Sequence, residues 1–461
     1  MNGSIRKNDT FITDIQDITN LGFGVARLHG KVVFIAGAVP GDEVEVRIIK
    51  VGSSFCVGRI ESFLQYSGHR VDYRCENEKC RSCAYKSVHI LLEKQLKESF
   101  VRNELRKAGL FDIEVGSLVL SPKEKEYRNK AQYPVSRDKN GDIVIGFYAP
   151  KSHNVAEAAD CPLSPAIFRD IINDLRDFFV EKEISVYDEG SGEGLIRHIY
   201  LRRGEVSGEV LLTLVINGDS LPYAEELCKR LSGKYPQLVG ILTNENREKT
   251  NVILGEKFNT LWGKDYIYDT LAGVRLKISA PAFYQVNHGV AELIYAEARR
   301  LAHLEKGDTL LDLFCGAGSI GLSMAKDAAR VIGIEIIPEA VECARENAIS
   351  NGIENAHFFV GDATDTELLL GTAEAELGEK ISPDVVILDP PRAGCEEKLL
   401  SFVSSLSPKR IVYVSCNPTT LARDVKYMRG LGYDTKEVEI FNMFSMTGHV
   451  ESLVCLQKQT N

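Results

Sequence analysis

Cys416 sits in the run Val414-Ser415-Cys416-Asn417-Pro418, directly after the apolar stretch Arg410-Ile411-Val412-Tyr413. The apolar stretch predicts a buried strand, and the proline breaks the chain after it. Open α/β sheets build their reactive crevice at the carboxyl ends of strands, so a thiol there is a candidate nucleophile as well as a packing residue. Carboxylates recur at comparable places. Asp312 precedes Gly316 and Gly318, Glu335 closes Gly333-Ile334-Glu335, and Asp362 follows Gly361. Glycines between a strand and a helix let a ligand approach the backbone. An acid about twenty residues downstream can hydrogen-bond a ribose. An acid ahead of the glycines repels a pyrophosphate and welcomes a cation. These acids predict a nucleoside cofactor that carries positive charge. A separate group, Cys75, Cys80 and Cys83, has the spacing C-x4-C-x2-C, and Cys161-Pro162 offers a fourth thiol. That spacing leaves open a four-thiolate zinc site, a two-iron cluster of the plant type, or a four-iron cluster.

The elements that must position these groups follow from periodicity. From about residue 283 the pattern alternates strand and helix, with strands predicted at 309–313, 330–335, 356–360, 384–388 and 410–415, then at 436–441 and 451–456. Five alternating units and a terminal pair predict a doubly wound α/β sheet of the Rossmann type. Residues from about 10 to 62 alternate in the manner of five short strands, with turns at Leu21-Gly22-Phe23-Gly24, His29-Gly30 and Pro40-Gly41, which predicts a small OB-like β-barrel. A helix is expected from about 88 to 110, ending at Ala108-Gly109, with packing on the Rossmann-like domain open to it. The stretch 125–275 mixes strands and helices, with a hairpin at Asn140-Gly141 and two strands joined through Arg203-Gly204. Three domains are therefore expected: a barrel over 1–62, a central α+β domain over 63–275 that carries the cysteines, and the Rossmann-like domain over 276–461.

Composition narrows the class. With 44 % hydrophobic and 26 % charged residues, the 461-residue chain has the balance of a soluble globular protein. No run approaches the ~18 apolar residues of a membrane span, and no signal peptide is evident, so a cytoplasmic protein with no membrane partner is expected. Eleven cysteines in a reducing compartment point to reactive or metal-binding thiols rather than disulfides. The net charge of −10 argues against coating nucleic acid through bulk charge, but local basic runs at 127–130 and 197–203 remain candidate RNA contacts.

Four motifs stand in a fixed order: Phe283-Tyr284-Gln285-Val286-Asn287, Asp389-Pro390-Pro391-Arg392, Ser415-Cys416-Asn417-Pro418 and His449-Val450-Glu451-Ser452. With them the chain resembles the RNA uracil-5-methyltransferase family of the RumA/TrmA type, over essentially its whole length. Amino-group methyltransferases carry an aromatic where Arg392 stands, which points away from that chemistry. The resemblance implies Cys416 as nucleophile and Glu451 as base. It implies S-adenosyl-L-methionine as cofactor, held by Gln285, Phe314, Glu335 and Asp389. Asp362 joins this set by its strand-end position, and Ser319 stands where the family often has Asn. His449 is expected to order its loop.

The N-terminal barrel resembles a TRAM domain, an RNA-binding module. Ribosomal RNA members of the family carry a [4Fe-4S] cluster, and the resemblance favours it over zinc at Cys75, Cys80, Cys83 and Cys161. Barrel and cluster together imply 23S ribosomal RNA as partner for a monomeric enzyme that must flip its uridine. A tRNA T-loop enzyme is the alternative of the same chemistry. DNA cytosine-5 methylation normally places Pro before the Cys, where this chain has Ser415. A non-enzymatic RNA-binding scaffold is disfavoured by the paired Cys416 and Glu451.

Overall fold

The computed structural model describes residues 5–71, 75, 77, 80, 82–149, 152–363, 365 and 368–459. Its largest sheet carries the strand-end groups. Across it run Ala356–Val360, Arg330–Glu335, Thr309–Leu313, Val385–Leu388, Arg410–Ser415, Glu451–Lys458, Glu437–Phe441 and Glu114–Val115, with Tyr433–Asp434 paired to the side of Glu451–Lys458. The first five are parallel. They read as near-continuous apolar runs because helices cover both faces; Leu310, Leu311, Val386, Ile387, Ile411 and Val412 are fully buried. The strand order reverses between Thr309–Leu313 and Val385–Leu388, the point where such sheets open a ligand crevice.

The last hairpin sets the chemistry's geometry. Glu451–Lys458 inserts antiparallel between Arg410–Ser415 and Glu437–Phe441, with Ser415 opposite Ser452. One step past that pair, Cys416 and Glu451 meet at the same edge of the sheet.

The N-terminal sheet has six strands, from Thr10–Asp14 to Phe55–Gln65, one more than expected. The added strand is the two-residue Asp17–Ile18, too short to show alternation. The sheet curls about a core of Ala26, Val33, Ile35, Val44, Val46, Ile48 and Cys56. A seven-stranded sheet follows, with Lys130–Arg137 and Ile143–Tyr148 forming the hairpin through Gly141, whose φ of 89° requires the left-handed conformation that glycine adopts freely. Ala166–Glu181 and Ala224–Lys234 pack on it.

The helix Ile90–Ala108 precedes this central sheet in sequence, yet Val101 and Leu105 are buried in the core of the C-terminal sheet beside Leu421 and Val425 of Pro418–Gly430. It is capped by the His89 side chain, which accepts from Leu91 N, and ends at Gly109. Among the described residues, no helix is long and apolar enough to cross a membrane.

Candidate active site

A cavity of about 1120 Å³ opens at the carboxyl ends of the parallel strands. Gln285, Phe314, Ser319, Glu335, Asp362, Asp389, Cys416 and Glu451 all line it, so the structure brings every expected cofactor and catalytic residue together. Each is delivered by a local device. After Thr309–Leu313 the chain turns through Phe314, at φ 62°, and Gly318, at φ 79°. A non-glycine residue in the left-handed region is uncommon, and here it turns the chain from the strand into the cavity wall. Gly318 has no alternative, because a Cβ there would stand 2.8 Å from the Phe358 ring.

The Glu335 carboxylate accepts from Gly316 N at 3.0 Å and Ile337 N at 3.1 Å, which locks it between the glycine turn and the next loop. The Ser319 hydroxyl lies 2.7 Å from the Tyr295 hydroxyl, so a phenol reaches the place where the family often offers an amide. Tyr295 and Phe444, both at the cavity wall, carry no motif that sequence reading could find.

Asp312 departs from expectation. Its side chain is fully buried and does not line the cavity; one oxygen accepts from Gly321 N at 2.9 Å. It braces the helix that follows the glycine turn. Burial raises it to about 7, helped by the charges of Asp389 and Glu335.

The motifs around Cys416 tie two loops together. Asn417 caps the helix Pro418–Gly430 by accepting from Thr419 N, while its amide donates to the Arg392 carbonyl at 3.0 Å. Pro418 at the first helical position fits that cap. The Cys416 loop and the Asp389–Arg392 loop are thereby joined. Burial and the Glu451 carboxylate push the Cys416 thiol up, and Arg392 opposes them. Burial raises Asp389 to about 7 and Glu451 to about 8, the latter with a contribution from Asp389 and against Arg392. Arg392 therefore acts on both the Cys416 thiol and the Glu451 carboxyl, an influence that its place in the motif did not reveal. His449 meets Phe444 edge-on at 5.9 Å, and its backbone N donates to Thr447.

The four cysteines also converge. Burial comes first in pushing Cys83 up to about 12, and Cys161, Cys80 and Cys75 add to it. Burial likewise raises Cys161, with Cys75 and Cys80 adding. All four are free thiols. Among the described residues no group of three or more His, Cys, Asp or Glu is close enough, as placed, to hold a metal ion. Four cysteine thiols are the donor chemistry that zinc and iron–sulfur sites use.

The basic run at 197–203 is not a solvated RNA-facing strand. Arg197, His198 and Arg202 are buried. The Arg197 guanidinium donates to the Asn246 and Glu248 carbonyls and stacks on Tyr187. Arg202 donates to the Tyr200 hydroxyl and the Ala282 carbonyl. Both faces of this strand are covered, which a pattern of alternating cations and apolar residues does not disclose. The run at 127–130 is also largely covered, with Tyr127 and Asn129 buried. Lys130 is pulled down to about 8 by burial and by the charges of Arg202 and Arg128.

Comparison with known proteins agrees with this geometry. The family described as tRNA (Uracil-5-)-methyltransferase matches residues 248–459, and the TRAM domain matches residues 11–60. An uncharacterized RNA methyltransferase of Oceanobacillus iheyensis is 35 % identical over 449 residues, 97 % of this chain and 96 % of that protein. One from Clostridium tetani is 36 % identical over 454 residues, 98 % and 97 % of the two chains. Among solved structures, the tRNA (uracil-54, C5)-methyltransferase of Pyrococcus abyssi, in complex with S-adenosyl-L-homocysteine, superposes with a TM-score of 0.75 at 28 % identity, covering 97 % of this chain and all of that one. With a TRAM domain ahead of a methyltransferase fold and whole-length relatives of this kind, the chain belongs to the RNA uracil-5-methyltransferase family.

Proposed function

We propose that this protein methylates C5 of a uridine in 23S ribosomal RNA, with Cys416 as nucleophile and Glu451 as base. The observation that carries the chemistry is the shared cavity edge at which Glu451, Asp389 and Arg392 act on the Cys416 thiol, and Asp389 and Arg392 on the Glu451 carboxyl. Uracil C5 is a poor nucleophile. Addition of the Cys416 thiolate to C6 makes an enolate and concentrates charge on C5. S-adenosyl-L-methionine supplies the methyl group as a cationic sulfonium. C5 takes the methyl, Glu451 removes the C5 proton, and the electrons of that C–H bond restore the C5–C6 double bond as the thiolate leaves. The Arg392 charge offsets the burial that raises Cys416, so a larger fraction of the thiol ionises. Because C6 of a stacked base is out of reach, the uridine must be flipped into the cavity.

Gln285, Phe314, Ser319, Glu335, Asp362 and Asp389 would hold the donor, with Glu335 placed for the ribose and Asp389 for the sulfonium side. Affinity for the donor is then pH-dependent, and the sign follows from Asp389. Its carboxyl, raised to about 7 by burial, is neutral below that value and must lose a proton to face a cation. The dissociation constant for S-adenosyl-L-methionine is expected to rise about tenfold as pH falls by one unit below about 7. S-adenosyl-L-homocysteine, without the sulfonium charge, changes less. Calorimetric titration of both ligands across that range checks this. Equal pH dependence for the two would sink it.

The ribosomal assignment is supported by the cysteine group, in which Cys75, Cys80, Cys83 and Cys161 would hold a [4Fe-4S] cluster as the ribosomal members do. Zinc is the lesser reading of the same four thiols. The division into 1–62, 63–275 and 276–461 belongs to this reading, with Glu114–Val115 of the middle part paired into the C-terminal sheet and the hairpin Tyr266–Leu271 with Val274–Ser279 spanning the second boundary. Of the two basic runs, Lys130, which is partly buried, would be the residue left to meet an RNA phosphate. One observation favours a second reading, the tRNA T-loop: the Pyrococcus abyssi tRNA enzyme aligns with 97 % of this chain. Mass mapping of 5-methyluridine in ribosomal and transfer RNA from a deletion strain separates them. Loss from 23S RNA alone is the expected result, and loss from tRNA alone would overturn the ribosomal assignment.

A further inference from the structure

The helix Ile90–Ala108 buries two charges that the chemistry above does not use. Glu93 and Lys97 lie one turn apart on one face, are 0 % and 1 % exposed, and form an ion pair at 3.0 Å. Their remaining bonds all go to one distant loop. Lys97 donates to the Asn442 side-chain carbonyl at 2.6 Å and to the Phe444 carbonyl at 3.0 Å. Glu93 accepts from the Asn442 amide at 3.2 Å and from Met446 N at 3.0 Å. The Asn442 side chain is thus clasped on both its faces, donor to carboxylate and acceptor to ammonium. This loop, 442–450, joins the strands Glu437–Phe441 and Glu451–Lys458. It carries Phe444 into the cavity wall and leads directly into Glu451.

We propose that Glu93, Lys97 and Asn442 form a clamp of positioning residues that sets the Glu451 carboxyl and Phe444 against the reacting base. The inference rests on Glu451 as the base. Burying an ion pair is costly, and a well-packed apolar pair of similar volume often holds a helix as well or better. Apolar contacts have no direction, however. Four directed bonds to residues 442, 444 and 446 fix the backbone of a loop whose placement the chemistry depends on, and a misplacement of about 1 Å at a reacting group can cost about 100-fold. One Glu93 oxygen is buried with no hydrogen-bond partner among the described residues. The charge is retained there despite an unmet bond, which stability alone does not favour.

The test compares the apolar double variant Glu93→Leu with Lys97→Met against wild type and against Glu451→Gln, using total RNA from a strain deleted for this enzyme and labelled S-adenosyl-L-methionine. Removing both charges together leaves neither ion buried alone, but the Asn442 side chain, the Phe444 carbonyl and Met446 N lose their partners, so the double variant should still fold, with a lowered melting midpoint. Its kcat should fall about 10- to 100-fold with KM for the donor within about twofold. A methylated covalent RNA–protein adduct should accumulate on denaturing gels, as it does when the base is removed. A merely structural role would not produce that adduct. Normal turnover, or slow turnover with no adduct while Glu451→Gln does accumulate one, overturns the clamp. Absence of the adduct from both variants removes Glu451 as base and the clamp with it, which marks the failure of the underlying reading instead.

Discussion

Cys416→Ala is expected to abolish methyl transfer while leaving RNA binding intact. Three thiols line the cavity, and the structure distinguishes them. Cys315 is 6 % exposed and held well above the ordinary thiol range by burial and by the Asp312 and Glu335 charges. Cys395 is 4 % exposed, raised to about 12 by burial, and its backbone is bonded to Asp424. Cys416 is only half-buried, stands at the end of Arg410–Ser415, and has the Arg392 charge drawing it toward the thiolate. The thiolate is the reactive form. Without addition to C6 no charge reaches C5, so neither Cys315 nor Cys395 can substitute. Turnover should fall by roughly 10⁴-fold or more, the order that removal of a covalent nucleophile costs. Filter binding of the same RNA should stay within about twofold, because phosphate contacts dominate affinity. Methylation retained at even a tenth of the wild-type rate would refute the assignment.

What sequence could show here divides along a physical line. Strands such as 309–313, 330–335 and 410–415 were legible to the residue because buried parallel strands are unbroken apolar runs bounded by turn residues. The strand-end acids were legible for the same reason, since a strand end marks a crevice. Asp312 shows the limit: the pattern puts an acid at the turn but does not tell which way its side chain points, and it turned inward to Gly321. Arg197 and Arg202 show another, because cations in a strand look solvated until both faces are known to be covered. Glu93 and Lys97 are the plainest case. At i and i+4 on a helix they read as an ordinary surface pair, and what buries them lies 345 residues further along the chain. Periodicity reports local elements, whereas such contacts exist only once topology has placed the final hairpin.

Glu451→Gln is expected to stop the reaction after methyl transfer and trap a covalent RNA–protein adduct. The substitution keeps the shape and hydrogen-bonding capacity of the side chain and removes its ability to take a proton. Burial raises the Glu451 carboxyl to about 8, helped by Asp389 and opposed by Arg392. A cation in the cavity favours the ionised form, so Glu451 starts as a carboxylate while the donor's sulfonium is present. Methyl transfer discharges that sulfonium. The field that held the proton off Glu451 then weakens just when the C5 proton must leave, and a base with a value of about 8 is well matched to take it at neutral pH. Glutamine cannot, so elimination of Cys416 stalls with the methyl group already on C5. Turnover should drop about 10²- to 10⁴-fold, the range for removing a positioned general base. A band carrying both protein and labelled RNA should appear on denaturing gels and vanish in the double variant with Cys416→Ala. Normal turnover of Glu451→Gln, with no adduct, would assign proton removal to another group, and His449, whose pKa burial and the Arg392 charge lower, would be the next to replace.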